Sequence, residues 1–322
     1  MGRIVGGMAT SHAFAFMEPA AWDEFRARNR QSLLRRTGIA PPPHPRIEAE
    51  SPDEVEVRYQ RIRLAHGTLR NTIAAQRPDA LIVIGDDQHE NFVATIPQIA
   101  VHMGGAFDLA GHFVKGKRHY TGHEPIARAL LGQGVSDGFD ITSVNTFEGS
   151  ALKSHAHVQV LQELAVPEDI PIVLVFVNAI TRPSIEPRRC FALGQSIARA
   201  IAARPEGERV LICASGGLSH FTAGFPWTAR RSPESYGQIC EAFDRRVIAL
   251  IEQGRGSELA QLTSEELLEH GNIELRSWIA LLGAIGPIPS EIAVYEPFYR
   301  AVTGMGVAAW SEAARKYEER GA

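Results

Sequence analysis

Several things are scarce in this chain, and each shortage excludes something. Cysteine is rare: Cys190, Cys213 and Cys240 are the three in 322 residues. They are widely spaced and form neither a CxxC pair nor a disulfide framework, so a reducing compartment is expected. Long apolar runs are missing. The longest, at 80–85 and 170–177, fall far short of a bilayer span. Excess charge is missing too: a formal net charge of −4 gives no reason to expect nucleic acid or an anionic membrane as partner. The opening stretch MGRIVGGMATSHAFAF has one early arginine and no continuous apolar core, so it makes a poor secretion signal. Met1-Gly2 begins like a myristoylation site, but Gly6 stands where Ser or Thr is required. Cytoplasmic location is the resulting expectation.

What is present is ordinary for a globular protein: 44% hydrophobic and 22% charged residues, with length enough for a large core. No composition shift marks a second domain, so residues 1–322 read as one domain. A first strand is expected at 3–5, ending at Gly6-Gly7. The stretch 22–37 is charged and amphipathic, and 52–76 has helical periodicity with Ser51 as N-cap. The proline-rich stretch 38–54 reads as a surface connection. PDALIVIGDDQ, IPIVLVFVNAI and RVLICASGG are short runs apolar on both faces, as in central strands covered by helices. Helices are expected between them at 124–131, 155–164 and 189–203, and the C-terminal third reads as mostly helical. Strands alternating with helices predict an α/β fold with a central, mostly parallel or mixed sheet and functional groups at the strand ends.

His12, His89 and His220 each follow the end of a presumptive strand; His155 lies in SALKSHAHVQ, and Glu274 opens NIELRSW. Positions just beyond strand ends gather at one crevice in an open α/β sheet. Two imidazoles and one carboxylate can hold one face of a divalent iron and leave the other open for substrate and O₂. Further histidines outside that shell suit acid or base work, because imidazole titrates near neutrality. Asp86, Asp87 and Glu90 around His89 could form a second acidic metal site, but the preferred reading is that they shape the turn and orient His89, with Asp87 the candidate partner of His89. GLSHF lacks the final glycine of a nucleophile elbow, so Ser219 is not read as a nucleophile. Cys213 reads as a small buried strand residue. The Gly304/Gly306 pair reads as close backbone passage, not as a phosphate loop. Trp227, Phe298 and Tyr299 are candidates for a ring-binding pocket or for ordinary packing.

These stretches resemble the class III extradiol ring-cleavage dioxygenases, the superfamily of the protocatechuate 4,5-dioxygenase catalytic subunit. TSHAF (10–14), GDDQHENF (85–92), SGGLSHF (215–221) and GNIELRSWIALLGA (271–284) are similar to its motifs in order. YEPFYRAVTGMGVAAW (295–310) and RPSIEPRRCFALGQSIARAI (182–201) resemble its single-chain, methylgallate dioxygenase-like branch. The resemblance implies His12, His89 and Glu274 as Fe(II) ligands, His220 as catalytic acid/base and His155 as a second active-site histidine. The family often has Asp-His-Gly where this chain has Ser154-His155-Ala156, with His157 close behind. On a helix those two histidines point to different faces, so one of them enters the site.

The resemblance also implies O₂-dependent opening of a catechol-like, gallate-like or dihydroxypyridine-like ring in aromatic catabolism. It implies a homodimer as well, and the length of the chain favours a form without a separate small subunit. Two other readings use the same residues: a non-catalytic metal-binding or signalling relative, and a zinc-dependent hydrolase.

Overall fold

The computed structural model describes residues 1–12, 16–111, 114–222 and 235–311. In chain order the elements are β1 (Arg3–Thr10), α1 (Trp22–Thr37), α2 (Pro45–Ala49), α3 (Pro52–Gln76), β2 (Ala80–Gly85), β3 (Ile99–His102), β4 (Phe107–Leu109), β5 (His119–Tyr120), α4 (Glu124–Ser136), β6 (Thr142–Val144), β7 (Ala151–Leu152) and α5 (His155–Glu163). There follow β8 (Ile172–Val177), α6 (Pro187–Ala202), β9 (Arg209–Ser215), α7 (Glu241–Glu252), α8 (Ser264–Glu269), α9 (Leu275–Ile285), β10 (Ile292–Phe298) and β11 (Thr303–Ser311).

An eight-stranded mixed sheet runs in the order β10-β11-β1-β9-β2-β8-β3-β6. Its centre is parallel: β1 pairs with β9 from Arg3↔Arg209 to Thr10↔Ser215, β9 with β2 up to Ile84↔Ala214, and β2 with β8. The expected α/β architecture is therefore present. Alternate residues of each apolar strand feed opposite cores. Ile82 and Ile84 pack with α4, α6, α7 and α9, whereas Leu81 and Val83 pack with α3, α5 and Trp22. That two-sided burial is why the strands read as unbroken apolar runs.

Local chemistry explains the helix that opens the second core. Ser51 accepts from the Glu54 N–H while the Glu54 carboxylate accepts from Ser51, a capping box that fixes the start of α3. On the other face, α6 and α9 approach through two glycines. A Cβ on Gly194 would lie 1.9 Å from the Ala280 carbonyl oxygen, and one on Gly283 would lie 2.1 Å from that of Phe191. This contact seats α9 closely against α6, and Glu274 is the residue just before α9.

The sequence reading misses the C-terminal hairpin. Residues 292–311 form β10 and β11, and β11 lies antiparallel beside β1 with Thr10↔Val307. Gly304 and Gly306 do serve close passage: a Cβ at Gly304 would meet Asp244 Oδ2 at 2.5 Å, and one at Gly306 would meet Leu218 Cδ1 at 2.9 Å. The proline-rich connection also contains α2, capped by His44.

Candidate active site

Because β1, β9 and β2 are parallel neighbours, the residues after them share one edge of the sheet. His12 follows β1 and is buried. The Ser215 hydroxyl donates to the Ala156 carbonyl at 2.5 Å, so at 3.0 Å from His12 Nδ1 it must accept. His12 therefore carries its proton on Nδ1 and turns the Nε2 lone pair toward Glu274, whose Oε2 is 3.5 Å away. Burial holds the His12 pKa down at about 3, against the pull of the Glu274 carboxylate, so the ring stays neutral.

The turn after β2 sorts its side chains by alternation. Asp86 is buried, and both its carboxylate oxygens lack a hydrogen-bond partner among the described residues. Asp87 caps the turn, accepting from the backbone N–H groups of Glu90, Asn91 and Phe92. Gln88 donates from Nε2 to Glu274 Oε1 at 2.7 Å. His89 has φ +59°, is exposed, and places Nε2 2.8 Å from the Thr181 hydroxyl. The expected ligand His89 is thus not brought to His12 and Glu274: the left-handed backbone at this residue turns its ring outward. Asp87 shapes the turn as expected, but it serves the backbone of Glu90, Asn91 and Phe92 rather than His89. Asp86 takes no part in shaping it through its carboxylate.

The question of His155 against His157 resolves on α5. His157 is fully buried, with Nδ1 2.8 Å from the Ser154 hydroxyl, Nε2 3.2 Å from the Val175 carbonyl oxygen, and its ring against Phe176. Burial lowers its pKa to about 4. It is a packing residue. His155 lies edge-on to His12, ring centroids 4.8 Å apart. Its Nδ1 sits 2.9 Å from both oxygens of Glu90, which also accepts from the His155 backbone N–H. Burial opposes the imidazolium here, but the Glu90 carboxylate outweighs it and raises the His155 pKa.

The turn after β9 carries His220. Its Nδ1 donates to the Leu218 carbonyl at 2.8 Å, leaving Nε2 3.7 Å from Glu274 Oε1. Burial works against protonation, and the neighbouring Glu274 charge reverses this, raising the His220 pKa. Burial disfavours the Glu274 charge, yet its carboxyl is held below the ordinary range by the neighbouring His220 ring and by the Gly217 N–H, 2.8 Å from Oε2. Gly216 makes room for the Glu274 segment, since a Cβ there would lie 2.6 Å from the Glu274 carbonyl oxygen. Behind the turn, buried Asp244 accepts from the Ser219 N–H and Asn272 Nδ2 on Oδ1, and from the Ser219 and Tyr295 hydroxyls on Oδ2. Ser219 is therefore a buried tether and not a nucleophile. Ser11 Oγ accepts from the Leu218 and Gly306 N–H groups and ties β1, this turn and β11 together.

One atom each from His12, Asp86 and Glu274 lies within 4.8 Å of the others. An imidazole lone pair faces a carboxylate oxygen, and a second buried carboxylate beside them has no donor among the described residues. Such a group of acceptors repels itself unless a cation sits among them, so these residues fit a divalent metal.

Of the expected site residues, His12, His155, His220 and Glu274 come together. Asp86, Gln88, Glu90, Ser215 and Asp244 were not foreseen in these positions. The available signal was that Asp86 directly follows a strand buried on both faces, at the sheet edge where ligands bind. Phe298 packs on Trp22 and the Tyr299 hydroxyl donates to Glu241, so both belong to ordinary packing. Trp227 and Phe14 lie outside the described residues. Cys213 is buried on β9, and burial pushes its thiol up to about 12.

Residues 42–306 match the family model described as the catalytic LigB subunit of aromatic ring-opening dioxygenase. A 2,3-dihydroxyphenylpropionate/2,3-dihydroxicinnamic acid 1,2-dioxygenase of Burkholderia vietnamiensis is 25% identical over 283 residues, covering 74% of this chain and 86% of that protein. One of the same name from Paraburkholderia phymatum is 26% identical over 306 residues, covering 82% and 90%. A crystal structure of an uncharacterized Escherichia coli K12 protein aligns with TM-score 0.46 and 18% identity, over 76% of this chain and 91% of that one.

Proposed function

We propose, from the premise that this chain belongs to the LigB family of aromatic ring-opening dioxygenases, that it is an Fe(II)-dependent extradiol enzyme acting on a small aromatic or heteroaromatic diol with O₂. The observation that carries this reading is the buried meeting of His12, Asp86 and Glu274 with the His155 and His220 rings beside it.

His12 and Glu274 hold the metal in this reading. His12 is prepared for it by Ser215, which fixes the proton on Nδ1 and frees Nε2. The chemistry a ferrous ion supplies when bound is acidification of the ring hydroxyls and redox coupling of the diol to O₂. The chain's own residues handle protons. His220 donates its Nδ1 proton to a backbone carbonyl, so Nε2 is the atom that takes a proton from a substrate hydroxyl and returns it later. His155, oriented by Glu90, presents Nε2 as the second acid/base group. The Glu90 carboxylate beside His155 favours the imidazolium form of that ring.

2,3-Dihydroxyphenylpropionate belongs in the first substrate panel because it appears in the relatives' names. Catechols, gallate derivatives and hydroxypyridine diols complete it. The test is anaerobic reconstitution with Fe(II) followed by O₂ uptake. Uptake with a diol that yields a ring-opened product supports the reading; no uptake across the panel refutes it. A cytoplasmic homodimer accompanies this reading, and size-exclusion chromatography with light scattering tests the dimer. No described helix is long and apolar enough to cross a membrane.

A further inference from the structure

We propose that Asp86 supplies the third protein ligand of the metal centre, which then consists of one imidazole and two carboxylates instead of two imidazoles and one carboxylate. This deepens the reading above and rests on it for the presence of a metal.

Three observations carry the inference. First, Asp86 is 1% exposed, and among the described residues neither carboxylate oxygen has a hydrogen-bond donor. A buried carboxyl group without donors is costly, and it persists where a cation or a proton compensates it. Second, it faces the two residues that already form the rest of the site: its oxygen lies within 4.8 Å of ligand atoms of His12 and Glu274. Third, the turn after β2 excludes the alternative. Asp86 and Gln88 face inward, with Gln88 donating to Glu274, while Asp87 caps the backbone. His89, with its left-handed backbone, reaches Thr181 at the surface.

The consequence is electrostatic. Two carboxylates and a neutral imidazole cancel the charge of a divalent cation, whereas two imidazoles and one carboxylate leave it one positive charge. Carboxylate-rich sets also suit the harder first-row ions. Gln88 has a place in this arrangement: its amide donates to Glu274 Oε1 and helps to orient that carboxylate.

Mn(II) is the probe, because it is stable in air and visible by electron paramagnetic resonance. It is titrated into the wild type and into the Asp86→Asn and His89→Ala variants. Asp86→Asn is expected to weaken Mn(II) binding by about tenfold or more. His89→Ala is expected to stay within about threefold of wild type, because removal of an outward-facing group leaves the ligand set intact. The reverse pattern overturns the proposal. Should Asp86→Asn fold poorly by circular dichroism, the wild type decides alone: pulsed resonance of bound Mn(II) should show one coordinated imidazole nitrogen, and two would overturn the assignment. The two levels of the argument fail separately. A wild type that binds no Mn(II) or Fe(II) sinks both, whereas one that binds metal and opens a diol ring, but requires His89 for the metal, sinks this assignment only.

Discussion

Removing Asp244 tests whether the turn that carries His220 is held from behind. The carboxylate is fully buried, and four donors converge on it: the Ser219 N–H at 3.1 Å, the Asn272 amide at 2.9 Å, the Ser219 hydroxyl at 2.6 Å and the Tyr295 hydroxyl at 2.8 Å. In Asp244→Ala the Ser219 hydroxyl can rotate and Asn272 Nδ2 keeps the His270 carbonyl, but the Ser219 N–H and the Tyr295 phenol are stranded. At about 1–3 kcal/mol for each buried donor left without an acceptor, with partial relief by water entering the void, the expected loss is about 4 kcal/mol. Asp244→Asn keeps an acceptor for the Oδ1 donors. It puts an amide NH₂ opposite two hydroxyls that can turn and accept, so its loss should be about 1–2 kcal/mol. Urea unfolding of the three proteins measures both values. In turnover assays the Ala variant should lose kcat by about 10–100-fold with little change in KM, because a loosened turn misplaces the His220 ring. Its metal content should be retained. An Ala variant within 1 kcal/mol of wild type (roughly the uncertainty of such ledgers), or an Asn variant as damaged as the Ala one, would refute the reasoning.

Other expectations follow from the same geometry. His220→Ala should keep its metal and lose turnover, whereas His12→Ala and Glu274→Ala should lose the metal itself; metal analysis after anaerobic purification distinguishes the cases, and metal loss in His220→Ala would remove it from the acid/base role. Glu90→Gln takes away the charge that raises the His155 pKa, so the limb of the pH–rate profile that belongs to His155 should move to lower pH and kcat should fall by about tenfold; an unmoved profile counts against the dyad. Metal-free protein should lose stability as pH drops. The unfolded chain binds a proton on His157 near 6.5, and the native chain refuses it until about 4, so stability falls through that window and then levels. Over the whole window the loss from His157 is about 3 kcal/mol. Buried His66, held at about 3, adds a slope of the same sign. Chemical unfolding at several pH values should show a shallower slope for His157→Gln, and an unchanged slope would mean that another group controls it.

Much of the architecture was legible because each central strand is buried on both faces. ALIVIG, IVLVFV and RVLICAS carry that burial as uninterrupted apolar runs, and the residues that follow them mark the edge where the site forms. The helix α3 was legible to the residue because Ser51, Pro52 and Glu54 are a local start signal. β11 was not, because its TGMGVAAW segment is rich in small residues whose purpose is tertiary: Gly304 and Gly306 admit Asp244 and Leu218, and no local propensity announces that. The site divided in the same way. His220 could be placed from the parallel strand before it, and so could His12, although β1 runs on through Gly6-Gly7, where the strand was expected to end, to Thr10. The turn 86–92 could not, since which of Asp86, Gln88 and His89 faces inward depends on backbone dihedrals, and His89 adopts the left-handed region that sequence alone rarely assigns to histidine. The remaining supports, Ser215 under His12 and Glu90 under His155, are contacts between residues 203 and 65 positions apart, which local patterns do not encode.

The pairing of β1 with both β9 and β11 has a temporal meaning as well as a spatial one. The first strand made is the one whose partners come last, and His12 waits for a glutamate 262 positions later, from residue 12 to residue 274. At typical synthesis rates that interval is roughly 10–50 s. Until Glu274 has been made, the set of His12, Asp86 and Glu274 is incomplete. In the metal-binding reading proposed above, loading of the centre would therefore await the closing of the layers on both faces of the sheet around it.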